Sequence, residues 1–193
     1  MPASPIVRAM YEELIRRFGE PTGACTFTDA PGSDESWPQR IDVLHWADEE
    51  DWDINTFATV GMCDRPMRHV EHRCELHFSI RGSFETLDVL KVCAFCANLA
   101  AYPFANETSF NWTEVILAPG EIPHFLNCCC VMLHPGFYED SWDTMEFEGV
   151  KIKIMNLVPL TPNEMAHRKK HGPFSIYDYF VEHEIDLFSD ENR

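Results

Sequence analysis

The sequence predicts one α/β domain, a mixed and mainly antiparallel sheet with flanking helices. Three observations predict it. Period-two alternation of apolar and polar residues recurs at 41–47, 73–80 and 150–160. Helical starts with proper punctuation stand at both ends of the chain, at Ser4-Pro5 and Thr161-Pro162. In the middle third a strand, a long apolar helix and further strands follow one another, the order that covers a sheet with helices. No stretch reads as a long linker, so residues 1–193 are expected to fold together.

Taken in order, Ser4-Pro5 opens a helix in which Val7, Tyr11, Leu14 and Phe18 recur at helical spacing before Gly19 and Pro21. A short strand at 25–27 leads into a surface loop rich in Pro, Gly, Asp and Ser. Strands follow at 41–47 and 56–62, and 61–66 is a turn. In the strand 73–80, Cys74, Leu76, Phe78 and Ile80 share one face and Glu75, His77 and Ser79 the other. Ser83 caps the next helix, which Pro103 ends. Strands at 113–117 and 125–133 precede a hairpin turning at 147–150 and its long second strand, 150–160. Thr161-Pro162-Asn163-Glu164 is a capping box, and its helix stops at Gly172-Pro173. A last helix starts at Ser175, with Ile176, Tyr179, Phe180 and Ile185 facing inward.

Composition narrows the function classes. Fifteen basic against 32 acidic residues leave a net charge of −17. A phosphate backbone would be repelled, so nucleic acid is excluded as a partner. An acidic face suits a basic protein instead. The first residues lack the apolar core of a signal peptide, and the longest apolar stretch, 87–102, carries Asp88, Lys91 and Asn98. No membrane association and a cytoplasmic location are expected, where the eight cysteines stay thiols.

Several groupings have ligand or nucleophile chemistry. His69, His72, Cys74 and His77 offer nitrogen and sulfur donors for zinc, but strand alternation sends Cys74 and His77 to opposite faces. Cys93 and Cys96 have redox spacing, yet lie inside a helix instead of at its start, where the dipole would lower a thiol pKa. Cys128, Cys129 and Cys130 alternate faces if they are strand residues. Glu75 needs a second group within reach to act as an acid or base. The chain has no GxSxG, HExxH, P-loop or GxGxxG pattern. No cofactor and no metal are expected.

Larger segments carry a resemblance. Trp112 in NWTEVILAPG, HPGFYEDSW at 134–142, and MEFEGVKIKIMNLVPLTPNEMAHRKKHG at 145–172 resemble the suppressor-of-fused domain family, with Val158-Pro159-Leu160-Thr161 running into a helix that carries Glu164 early. FATVGMCDRPM and Glu75-Leu76 are similar to the family's strand, glycine turn and following strand. The similarity spans about residues 40 to 188. It implies a mixed α/β domain without an established catalytic apparatus. In eukaryotes the family restrains a zinc-finger transcription factor using a second domain, for which this chain has no room. Its bacterial members include immunity proteins paired with toxins.

The sequence therefore predicts a protein-binding module, of bacterial single-domain type, with neutralisation of a toxin bearing a basic surface as its role. The binding surface expected is Trp46, Asp51, Trp52, Asp53, Glu75, His134, Tyr138 and Trp142, where exposed aromatics displace water and the acids select a basic partner. One alternative is an enzyme with a cleft near Glu75, His77, Cys128 and His134. Another is a structural homo-oligomer subunit, and a homodimer is compatible with either.

Overall fold

Pro5, whose ring presets φ for the first helical position, opens α1 (Pro5–Phe18), and Gly19 at φ 76° closes it. The structure is a computed structural model and describes residues 3–28, 35–47, 53–136, 141–191 and 193. Ser4 begins α1 through its carbonyl, which accepts from Arg8 N at 3.1 Å, and its hydroxyl makes no cap bond. Met10 and Leu14 are the buried residues of α1. Tyr11 and Phe18, expected on the buried stripe, are 41 % and 43 % exposed. They lie about 80–100° round the helix from Met10, on the flank of its contact line.

The strands are β1 (Gly23–Thr28), β2 (Arg40–Ala47), β3 (Ile54–Val60), β4 (Arg73–Arg81), β5 (Val115–Ile116), β6 (Cys130–His134), β7 (Thr144–Phe147) and β8 (Val150–Leu160). They form one sheet in the order β1-β2-β3-β4-β8-β6-β5, with β7 also on β8. Every pair is antiparallel except β4 with β8. The mixed, mainly antiparallel α/β class read from the sequence is the class observed. At 11 residues, β8 is long enough to be shared. Its one edge takes β4, and its other takes β7 opposite 150–153 and β6 opposite 156–160.

Alternation along β8 sorts the core. Met155 and Leu157 join Leu76, Phe78 and Ile80 on the face covered by α2 (Thr86–Ala105). Ile152 and Ile154 meet Met10 and Leu14 of α1 on the opposite face. Further along that face, Val158 and Leu160 meet Met165, Ile176 and Phe180 of α3 (Pro162–His171) and α4 (Ser175–Glu182). By length and composition α2 is apolar enough to cross a membrane, and eight of its residues are buried in the fold.

Several boundaries differ from the sequence reading: β1 and β3 start two residues earlier than expected, β3 also ends two residues earlier, and β5 keeps only 115–116 of the expected 113–117. The N-cap of α2 is Glu85 instead of Ser83, and Pro103 lies inside the helix. A proline near the helix end forfeits a single i→i−4 bond, and here Pro103 is buried while Phe104 packs against the core. The strand expected at 125–133 pairs only from 130, running on to 134, because Ile122 and Phe125 reach the core at turn spacing: Phe125 N donates to Ile122 O and Cys128 N to Phe125 O. The capping box of α3 forms as expected, Thr161 Oγ1 accepting from Glu164 N and Glu164 Oε2 accepting from Thr161 N.

Candidate functional site

Between the part of the sheet covered by α1 and the part covered by α3 and α4, a polar row crosses three strands. His77 of β4 and His134 of β6 are both register partners of Asn156 of β8. The three residues share one face, with about 10 Å, two strand spacings, between the histidine backbones. Asn156 Nδ2 donates to His134 O at 3.3 Å. Burial pushes both imidazoles toward the neutral form, His77 down to about 4 with Arg17 adding repulsion.

Rings stack away from His77 in two directions. On one side Phe18 meets it at 5.8 Å between centroids, and Trp46 follows at 5.4 Å from Phe18. On the other side Trp142 meets His77 edge-on at 5.6 Å, and the Arg17 guanidinium lies 4.5 Å above the Trp142 ring. His134 packs edge-on against Tyr177 of α4 at 4.7 Å. Phe18 and the half-buried Trp142 bring this run to solvent. Among the described residues His77 Nε2 is buried with no hydrogen-bond partner, a deficit of about 1–3 kcal/mol in the floor of the run.

Trp142 is held from below. Gly136 N donates to Asp143 Oδ1 at 2.5 Å, and Asp143 O accepts from Ile154 N at 2.9 Å. A Cβ on Gly136 would lie 1.9 Å from the Ser141 Cβ, so only glycine permits this approach. Trp46 and Trp142, one from each segment named by the sequence, thus belong to a single aromatic run. Phe18 and Arg17, which complete it, were missed. Phe18 reads as another core position of an amphipathic helix, and nothing local ties Arg17 to a tryptophan 125 residues later.

Other expected site residues stand differently. Trp46 is 9 % exposed, buried with Leu44 and Ala58, and its Nε1 donates to Gly19 O at 3.0 Å, so it supports the run from below instead of projecting as an exposed anchor. Glu75 is fully buried under α1, not on an open surface. Its carboxylate accepts from Thr59 Oγ1 at 2.6 Å, Gly61 N at 2.8 Å and Cys63 N at 3.0 Å. Burial outweighs these bonds and raises its pKa to about 7. Gly61 is required there: its φ is +124° and a Cβ would stand 2.3 Å from Arg40 O. His134 is buried, so it too lies under the surface. Asp53 is exposed just before β3. Asp51, Trp52 and Tyr138 lie outside the described residues.

The four groups of the alternative cleft do not converge. Glu75 is committed to the turn after β3, and Cys128 packs on the α2 face with its Sγ 3.9 Å from Asp190 Oδ1, across the sheet from His77 and His134. Of the nominal zinc set, His72 bonds Phe110 O and Cys74 is buried on the α2 face. Among the described residues no group of three or more His, Cys, Asp or Glu side chains is arranged to hold a metal. One cysteine expectation needs correction. Cys129 precedes the strand instead of alternating within it, so its Sγ lies 3.9 Å from that of Cys130.

Comparison with known proteins decides the family. The model of the Suppressor of fused protein (SUFU) family matches residues 38–193. The chain belongs to the suppressor of fused family. It is 22 % identical to Immunity protein YqcF of Bacillus subtilis strain 168 over 166 residues, 80 % of this chain and 81 % of that one. The fold is that of a SUFU homologue from Neisseria gonorrhoeae FA 1090, at TM-score 0.63 and 16 % identity over 97 % of this chain and 93 % of the other. Sufu in a Sufu-Fu complex superposes at TM-score 0.62 with 9 % identity, covering 95 % of this chain and 85 % of that one. Drosophila Suppressor of Fused superposes at TM-score 0.64 with 9 % identity over 97 % of this chain, which spans half of that protein.

Proposed function

We propose that this suppressor of fused family member is a protein-binding module that neutralises a basic toxin by covering part of its surface. The observation carrying this reading is the aromatic run from Trp46 through Phe18 and His77 to Trp142, buried at its base and open at Phe18 and Trp142. Such a patch gives a partner apolar area to bury on a rigid floor, and Arg17 over Trp142 keeps the outer ring in place. The net charge of −17 would steer a basic partner toward it. Similarity to an immunity protein supports the finer role, and a Sufu-Fu complex supports protein binding as the family's mode of action.

The test is co-expression. The protein encoded next to this chain is induced alone and together with it. Growth arrest relieved by the wild type, but not by Phe18→Ala/Trp142→Ala, is the expected outcome. A toxic neighbour that the wild type fails to relieve would sink the immunity reading. Relief left intact by a folded double variant would move the interface elsewhere.

A further inference from the structure

A second cluster of rings lies along α3 and α4, and the aromatic run makes no use of it. His167 and His171 stand one turn apart in α3, their ring centroids 4.6 Å apart and tilted by 30°. Residues at i and i+4 share one helix face, so both imidazoles point the same way. Tyr179 of α4 packs on His167 at 4.6 Å and fixes that ring from behind, while His171 is exposed. His183 stacks on Tyr179 at 4.0 Å, and its Nδ1 is engaged with Tyr179 O. Among the described residues no hydrogen bond or ion pair engages the ring nitrogens of His167 or His171. Two imidazoles on one helix face, with His171 in the last turn where the backbone dipole is negative, are a bidentate donor set for a cation.

We propose that His167 and His171 form a two-imidazole site for a divalent transition-metal ion, with solvent completing the shell. Imidazole prefers ions of the nickel, copper and zinc class over calcium or magnesium. Both ring nitrogens must reach about 2.0–2.1 Å from the ion. The χ2 torsion of the exposed His171 is soft enough to turn its nitrogen toward that of His167, which Tyr179 holds still. Lys169 lies about 160–200° round the helix from the pair, Lys170 flanks His167 on a long flexible stem, and Arg168 is held by Thr113 O.

Nickel titration of the untagged chain by calorimetry tests the site, in a Cys129→Ser background so that the exposed thiol does not compete. One Ni²⁺ per chain is expected. His171→Ala and His167→Ala should each weaken binding by at least about tenfold, as loss of one of two ligands requires, while His183→Ala leaves it unchanged. Saturating Ni²⁺ should also raise the melting temperature of the Cys129→Ser chain and leave that of its His171→Ala derivative where it was. His171 is exposed, so its variant should keep the wild-type circular dichroism spectrum. Absence of Ni²⁺ binding, loss of binding on Cys129→Ser alone, or binding undiminished by both histidine variants would overturn the proposal.

Discussion

Glu75 and His77 are two residues apart on one buried strand face, and burial shifts both toward their neutral forms. Their effects on stability have opposite sign. With its pKa raised to about 7, Glu75 holds a proton in the native state that the unfolded chain releases near 4.5, so stability falls as pH rises through that window. With its pKa lowered to about 4, His77 refuses a proton that the unfolded chain takes up below 6.5, so stability rises with pH there. Between about pH 4.5 and 6.5 the two slopes oppose one another. Glu75→Gln keeps an oxygen for the Gly61 and Cys63 amides and removes the falling slope. Urea denaturation of that variant should show stability climbing more steeply with pH than in the wild type over this interval. An unchanged profile would mean that Glu75 is ionised in the fold. His77→Phe should do the reverse, and by removing the unpaired Nε2 it should add about 1–3 kcal/mol at neutral pH.

At the scale of the element, what a short window encodes was legible and what tertiary packing decides was not. The capping box, the 147–150 hairpin turn and the alternation of 73–80 are local patterns, and each is found where the sequence has it. The end of α2 and the start of β6 follow which apolar side chains reach the sheet, a property of the assembled core that Pro103 or Phe125 does not announce. Arg193 is the sharpest case. Its side chain is 1 % exposed and its guanidinium bonds Glu164 of the capping box and Pro159 O at the end of β8, 29 and 34 residues away. Removing one partner of a buried pair strands the other, so Arg193→Ala should cost about 3–5 kcal/mol. Replacing both, with Glu164→Gln and Arg193→Met, should cost clearly less. Thr161→Ala, which deletes only the cap, should cost about 1 kcal/mol. A double-mutant cycle by chemical denaturation separates these terms, and a coupling energy near zero between 164 and 193 would show the pair to be solvent-screened.

Over the whole molecule, β8 ties the two ends of the sheet together, since β4 brings β1 to β3 to one of its edges and β6 and β7 hold the other. Calorimetry should therefore show one main transition, and two separable ones would mean that the parallel β4–β8 pairing is weak. The same long-range pairing explains why the candidate site was only half legible. Trp46 and Trp142 stand out in sequence, but they are joined through Phe18 and His77, and His77 reads as a polar strand residue until β4, β8 and α1 are stacked. The placement yields a kinetic expectation for the proposed partner. Phe18 and Trp142 are short-range apolar contacts made after docking, so Trp142→Ala should speed dissociation and weaken affinity by about 1–3 kcal/mol. The charge of −17 acts before contact, so raising salt should slow association of wild type and variant by the same factor. Surface plasmon resonance at two salt concentrations reads both rates. A melting temperature of Trp142→Ala close to the wild type is required first, because the ring also packs against the core cluster under α1. If a folded variant loses association rate instead, Trp142 contributes to encounter and not to the docked interface. If neither rate changes, the partner binds elsewhere on the acidic surface.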